Sequence, residues 1–211
     1  MTAIAHAPGG RHGAGYALAD LAGQLYARGW MEGTAGNVSV RLTAGDRALI
    51  TASGLSKGSL TSRDVVEVRV ADGTAVAPGS RPSAETSIHT ALYRAFPDCG
   101  AVLHAHPPQA TAVAALADRR GADAVEFVAF EIIKGLGVAD PSAVRVPVLA
   151  NHPDVPRIAE DVTARLDPDA PPALLIGSHG ATTWGPTLEA ARNRMECLET
   201  LCRLTLMLEG H

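Results

Sequence analysis

The segment Ala101-Val102-Leu103-His104-Ala105-His106 carries two histidines two residues apart at the end of an apolar run. On a β-strand, residues i and i+2 point to one face and lie about 6.6 Å apart along the strand. Two imidazoles so placed can converge on one metal ion, and neutral imidazole is a common zinc ligand. The pair also reads as two half-buried strand residues with ordinary hydrogen bonds. A catalytic zinc usually takes three protein ligands and keeps one position open. Metal chemistry therefore requires a third ligand elsewhere in the chain.

His179 is the leading candidate. It stands in Gly177-Ser178-His179-Gly180, where glycines at a strand end allow a close approach to a metal or ligand. The other histidines fit less well. His6 and His12 fall in a Gly/His/Ala-rich N-terminal stretch, His89 lies in a helix, His152 precedes a proline turn, and His211 is terminal.

Two loops carry what an anion needs. Gly36-Asn37 and Ser53-Gly54, with Lys57 close by, offer backbone N–H groups, a hydroxyl and a positive charge. Ser83, in Arg81-Pro82-Ser83-Ala84-Glu85, opens a helix whose N-terminus favours negative charge. Each also has a plain structural reading: Ser53-Gly54 as a turn and Ser83 as a helix cap. Two carboxylates stand out. Glu85 sits in the first helical turn, where it also suits the helix dipole. Glu131 is a polar residue inside the run Phe130-Glu131-Ile132-Ile133-Lys134-Gly135, where it reads equally as an exposed position or a partner of Lys134.

The elements that must position these residues follow from periodicity. Leu18, Leu21, Ala22, Leu25 and Tyr26 recur at helical spacing and stop at Gly29. Val38–Leu42, Ala48–Ile50 and Val66–Val70 read as strands, the last turning at Asp72-Gly73 into a hairpin arm at residues 74–76. Ile88, Ala91, Leu92 and Ala95 share a helical face that Pro97 closes. After the His-x-His strand, Pro107-Pro108 open a helix through Ala117. The stretch 126–134 has no clear period. Val144–Leu149 is a strand and Asp154–Leu166 a helix. Short strands Ala173–Ile176 and Ala181–Trp184 flank the His179 loop, and a long helix runs from Thr187 to Leu208. Strands that pair in hairpins and then alternate with helices predict a single α/β layered domain over residues 15–211 with a mixed or largely antiparallel sheet. Residues 1–14 are expected to form a loose arm.

Composition narrows the function classes. The chain has 211 residues, enough for one well-buried core, and its 46% hydrophobic and 19% charged content is that of a globular protein. A formal charge of -4 without a basic block argues against nucleic acid, and 4% aromatics argues against base stacking. No apolar run reaches membrane-spanning length. The N-terminal segment lacks a basic region followed by an apolar run, so no signal peptide is expected. Cys99, Cys197 and Cys202 form no C-x-x-C pair and fit reduced thiols, so a cytoplasmic location is expected.

In combination, Gly36-Asn37-Val38-Ser39, Thr51-Ala52-Ser53-Gly54, Pro82-Ser83-Ala84-Glu85-Thr86, His104-Ala105-His106 and Gly177-Ser178-His179-Gly180 resemble the class II aldolase/adducin family, over nearly the whole chain. Lys57-Gly58, residues 130–135 and Asn151-His152-Pro153-Asp154-Val155-Pro156 are similar to its branch of methylthioribulose-1-phosphate dehydratases, of the methionine salvage pathway. The resemblance implies a three-layer α/β/α fold with a central, mainly antiparallel sheet, and a homotetramer with sites at subunit boundaries. It implies one zinc per subunit on His104, His106 and His179. Gly36, Asn37, Ser53, Gly54, Lys57 and Ser83 would hold the phosphate of a small ketose. Glu131 matches the dehydratase acid/base and Glu85 the aldolase glutamate. The implied reaction is dehydration of 5-methylthioribulose 1-phosphate to 2,3-diketo-5-methylthiopentyl 1-phosphate through a zinc-stabilised enediolate. A fuculose-1-phosphate type aldolase is the alternative, and a non-enzymatic adducin-like scaffold is a more distant one. Ala84 departs from the aldolase pattern, which often has a second phosphate-binding serine there. A structural zinc is disfavoured, because such sites are normally closed by four protein ligands.

Overall fold

Period-two burial builds the centre of the molecule. In the strand Ala101–Ala105, Ala101, Leu103 and Ala105 face one apolar cluster while Val102 faces a second. A strand buried on both faces must lie in the middle of a sheet. The computed structural model, which describes residues 10–42 and 45–210, places it there.

In chain order the strands are β1 (Asn37–Arg41), β2 (Arg47–Thr51), β3 (Val65–Arg69), β4 (Ala101–Ala105), β5 (Ala124–Val128), β6 (Ala143–Leu149), β7 (Ala173–Ile176) and β8 (Gly180–Gly185). They form one eight-stranded sheet in the order β3-β2-β1-β4-β8-β7-β6-β5. Every pairing is antiparallel except β6 with β7. The helices are α1 (Gly10–Ala27), α2 (Thr86–Ala95), α3 (Pro108–Arg119), α4 (Val155–Arg165) and α5 (Leu188–Glu209).

The helices split between the two faces as the apolar residues dictate. Leu18 and Leu25 of α1, Val113 of α3 and Met195 and Leu198 of α5 pack on the Leu103 face. Ile88 and Leu92 of α2 and Ile158 and Val162 of α4 pack on the Val102 face. The result is the expected three-layer α/β/α arrangement with a mainly antiparallel sheet. Thr187 starts α5 by accepting a hydrogen bond from the Ala190 N–H at 3.0 Å. Such caps are worth about 1 kcal/mol.

Three details differ from expectation. The first helix begins at Gly10, so residues 10–14 belong to the domain rather than to an arm; residues 1–9 lie outside the described residues. Its early turn is held by burial: Ala14 is in the core, and a side chain on Gly15 would meet the Ser62 carbonyl oxygen at 2.7 Å. The arm at residues 74–76 makes only one isolated bridge, Val68 with Ala75, and not a strand. The unassigned stretch resolves into β5 and a 3-10 segment, Glu131–Leu136. β5 is an edge strand with only Phe127 buried, so it has too little alternation to announce itself. The cysteines are free, as expected. Among the described residues no helix is long and apolar enough to cross a membrane.

Candidate active site

The site is built on one rung of the sheet. His104 is paired across β4 with Asn37 of β1 on one side and Thr182 of β8 on the other. Directly opposed residues share a face of the sheet, so all three point toward α2. His104 Nδ1 lies 2.9 Å from the Thr182 hydroxyl, which leaves Nε2 pointing into the site. A second hydrogen bond of this kind fixes the orientation of a metal-binding imidazole.

His106 follows the strand end and is tied by its N–H to the Trp30 carbonyl at 2.8 Å. His179 comes from the turn between β7 and β8. That turn must pass close to β4: a side chain on Gly180 would strike the Ala105 carbonyl oxygen at 2.5 Å and the His106 ring at 2.7 Å. Glycine is therefore required there. The three rings meet edge-on, with centroids 4.8–5.1 Å apart. One ligand atom from each lies within 4.8 Å of the others.

Glu85 closes the cluster. Its Oε1 is 3.1 Å from His179 Nε2, and its Oε2 is 3.4 Å from His104 Nε2. Asn37 Nδ2 donates to the same Oε2 at 2.5 Å. Burial disfavours charge on this carboxylate. The neighbouring His104 and the hydrogen bonds from His179 and Asn37 outweigh that penalty and hold Glu85 well below the usual carboxylate range. Burial acts on the rings in the opposite sense: it lowers His104, against the pull of Glu85, and with the nearby rings pushes His106 down to about 3. Burial thus favours the neutral form of His104 and His106 beside the Glu85 carboxylate.

This donor set fits a divalent metal ion. His104 Nε2 and His106 Nε2 approach to 3.1 Å, a separation at which two bare lone pairs repel unless a proton or a cation lies between them. His179 Nδ1 is buried without a hydrogen-bond partner, while its Nε2 meets Glu85 at 3.1 Å at the centre of the cluster. Three nitrogens without a thiolate suit zinc and its neighbours.

The anion loops gather beside Glu85. The Ser53 N–H bonds the Arg81 carbonyl at 3.0 Å, and Ala52 bridges Pro82, which joins the Ser53-Gly54 turn to the Ser83 turn. Ser83 Oγ accepts from the Glu85 N–H at 3.2 Å. Gly36 packs against Met31 and the His104 carbonyl, whereas Gly54 faces open space. Lys57 is buried, and its ammonium donates to the Thr34 and Leu55 carbonyls, each at 2.9 Å. Two of its three N–H groups therefore staple these loops together. Burial lowers its pKa, and Glu85 opposes that shift.

Glu131 stands apart. In this single chain its side chain is 85% exposed and accepts from Lys134 Nζ at 2.7 Å, on the 3-10 segment beside α5. Within this chain its one side-chain partner among the described residues is Lys134, not a histidine.

Sequence reasoning missed two groups. Thr182 gave no signal, because its role depends on register. His89 reads in the sequence as a lone helical histidine, yet it bonds Asn37, and Ser39 links it to Tyr93. The spacing Glu85, His89, Tyr93 is a four-residue repeat on one face of α2, and this pattern could have revealed it.

The comparisons agree with this geometry. The chain is 52% identical over 211 residues to a probable bifunctional methylthioribose-1-phosphate isomerase/methylthioribulose-1-phosphate dehydratase of Nocardia farcinica. The match covers 96% of the chain but 36% of that relative, so the chain spans about a third of its length. It is 42% identical to a methylthioribulose-1-phosphate dehydratase of Microcystis aeruginosa, covering 88% of the chain and 91% of the relative. Among solved structures, YgbL of Klebsiella pneumoniae, a putative aldolase/epimerase/decarboxylase, superposes with a TM-score of 0.82 at 29% identity, over 95% of this chain and 91% of that one. Residues 16–206 match the Class II Aldolase and Adducin N-terminal domain. The chain belongs to the class II aldolase and adducin family.

Proposed function

We propose that the chain is a metal-dependent hydro-lyase that removes water from 5-methylthioribulose 1-phosphate. The chemistry rests on one observation: the carboxylate of Glu85 is set against three converging imidazoles. The substrate rests on the relatives that bear this activity in their names.

Zinc held by His104, His106 and His179 would supply Lewis-acid polarisation of the substrate carbonyl. Gly36, Asn37, Ser53, Gly54, Lys57 and Ser83 bind the phosphate and so hold the reacting carbons against the histidines. A carboxylate takes the proton from C3, and that electron pair becomes the C2–C3 double bond. The C4–O bond then breaks as its oxygen takes up a proton and leaves as water. Tautomerisation yields the 2,3-diketone.

Two carboxylates divide the proton transfers. Glu85 acts within the subunit, beside the metal ligands. Glu131, exposed in the single chain, acts from a neighbouring subunit of a homotetramer. The position of Glu85 also favours a second reading, an aldolase that cleaves the C3–C4 bond of a ketose phosphate. Incubation of the zinc-loaded protein with methylthioribulose 1-phosphate and with fuculose 1-phosphate separates the two. Formation of the diketone upholds the dehydratase; release of dihydroxyacetone phosphate from the second substrate alone replaces it with the aldolase.

A further inference from the structure

Beyond Glu85 and Asn37 lies a row of buried polar groups, His89, Ser39 and Tyr93, that the reaction as written does not use. Asn37 Oδ1 is 2.5 Å from His89 Nε2. His89 Nδ1 is 2.7 Å from the Ser39 hydroxyl, and Ser39 Oγ is 2.7 Å from the Tyr93 hydroxyl. All four residues are at most 2% exposed. Buried polar groups cost free energy unless they are bonded, and a core of this kind is simplest when apolar.

The geometry fixes the direction of every bond. Asn37 turns its NH₂ toward Glu85 Oε2, at 2.5 Å, and so its carbonyl toward His89. His89 must then carry its proton on Nε2. Burial keeps that ring neutral, its pKa pushed down to about 3, so Nδ1 is an acceptor. The Ser39 hydroxyl donates to it, and Tyr93 donates to Ser39. At the far end Arg41 lies over the Tyr93 ring, 4.9 Å from its centroid, and bonds the Tyr93 carbonyl. Turning any one member reverses a bond and sets two acceptors or two donors face to face.

We propose that His89, Ser39 and Tyr93 form a buried positioning relay whose hydrogen bonds all run toward Glu85, holding the Asn37 amide and through it aiming the carboxylate at the histidines. The relay rests on Glu85 being the acid/base of the site. None of the three touches substrate. Their effect is mainly on where Glu85 points, and therefore falls more heavily on kcat than on substrate affinity.

The test uses the zinc-loaded full chain, with histidine ring nitrogens labelled. Long-range proton–nitrogen correlation should show His89 protonated on Nε2 and bare on Nδ1. Tyr93→Phe, which deletes one oxygen and keeps the ring, should shift the His89 Nδ1 resonance. His89→Phe should lower kcat for dehydration of methylthioribulose 1-phosphate on the order of tenfold to a hundredfold with little change in KM, since a buried donor and acceptor lose their partner. His89→Gln can donate to Asn37 and accept from Ser39, so it should recover kcat to within roughly threefold of wild type. An Nδ1-protonated His89 overturns the relay whether or not any substrate turns over. So does a Gln variant as impaired as the Phe variant, or a folded His89→Phe enzyme with unchanged kcat. Absent turnover in the wild-type protein, with the predicted tautomer present, instead counts against the assigned reaction and leaves the relay standing.

Discussion

Glu85 Oε1 lies 3.1 Å from His179 Nε2, so a helix-start carboxylate and an imidazole from a tight turn between strands share one proton position. Glu85→Gln keeps the shape and hydrogen-bonding capacity of the side chain but removes its basicity. We expect it to bind zinc normally and to lose a hundredfold to ten-thousandfold in kcat, the range typical of a general acid or base. Metal content by elemental analysis and single-turnover rates check both halves.

Glu131 gives a different experiment. If it serves a neighbouring subunit, Glu131→Gln and Glu85→Gln are each nearly inactive alone. Mixed oligomers of the two, formed by dissociation and reassembly, regain activity, because some boundaries then combine an intact Glu85 with an intact Glu131. Mixtures no more active than their components would place both groups in one subunit or remove Glu131 from the mechanism.

Metal capture should need all three rings. His104→Ala, His106→Ala and His179→Ala are each expected to lower zinc content from about one per chain to a small fraction, since two imidazoles hold the ion far less well than three. Thr182→Val, which keeps size and removes the hydroxyl bonded to His104, should weaken zinc binding on the order of tenfold to a hundredfold. Competition with a chromogenic chelator measures each.

Lys57 is both a charge and a staple. Lys57→Met removes the donor from the Thr34 and Leu55 carbonyls. Each buried acceptor left without a partner costs about 1–3 kcal/mol, so the variant should melt several degrees lower. Free phosphate should also compete less well for it. A variant as stable as wild type that still loses phosphate affinity would make Lys57 a ligand rather than a staple.

Acid should weaken the protein before its carboxylates titrate. His89 is held neutral, its pKa near 3 in the fold against about 6.5 in the unfolded chain. Between these values the unfolded chain binds more protons, so stability falls as pH drops from 6.5 toward 3. From pH 7 to pH 5 this group alone accounts for about 2 kcal/mol. Urea denaturation at the two pH values should show the loss, and His89→Gln should remove that share of it.

Much of this was readable in the sequence, and what was not has a physical cause. Ala101, Val102 and Leu103 read as an unbroken apolar run because β4 is buried on both faces. The glycines around His179 pointed to a close approach, and Gly180 does lie against Ala105 and His106. β5 escaped because an edge strand has no need of a regular apolar face. The relay escaped because Asn37, Ser39 and His89 become partners only through the pairing of β1 with β4 and the seating of α2, both of which span long stretches of chain. Glu131 stood out from its run, but its distance from the histidines could not be read from spacing.

Asn37, His104 and Thr182 stand in one rung across three strands that are not consecutive in the chain. Side chains alternate faces, so a slip of one residue in either neighbour of β4 keeps most backbone hydrogen bonds but turns that neighbour's contribution to the opposite layer. A refolding chain can therefore be collapsed, helical and strand-paired and still lack its ion. Zinc uptake, followed in time beside fluorescence and circular dichroism, becomes a clock for strand register: it should lag compaction and coincide with the last step to the native sheet.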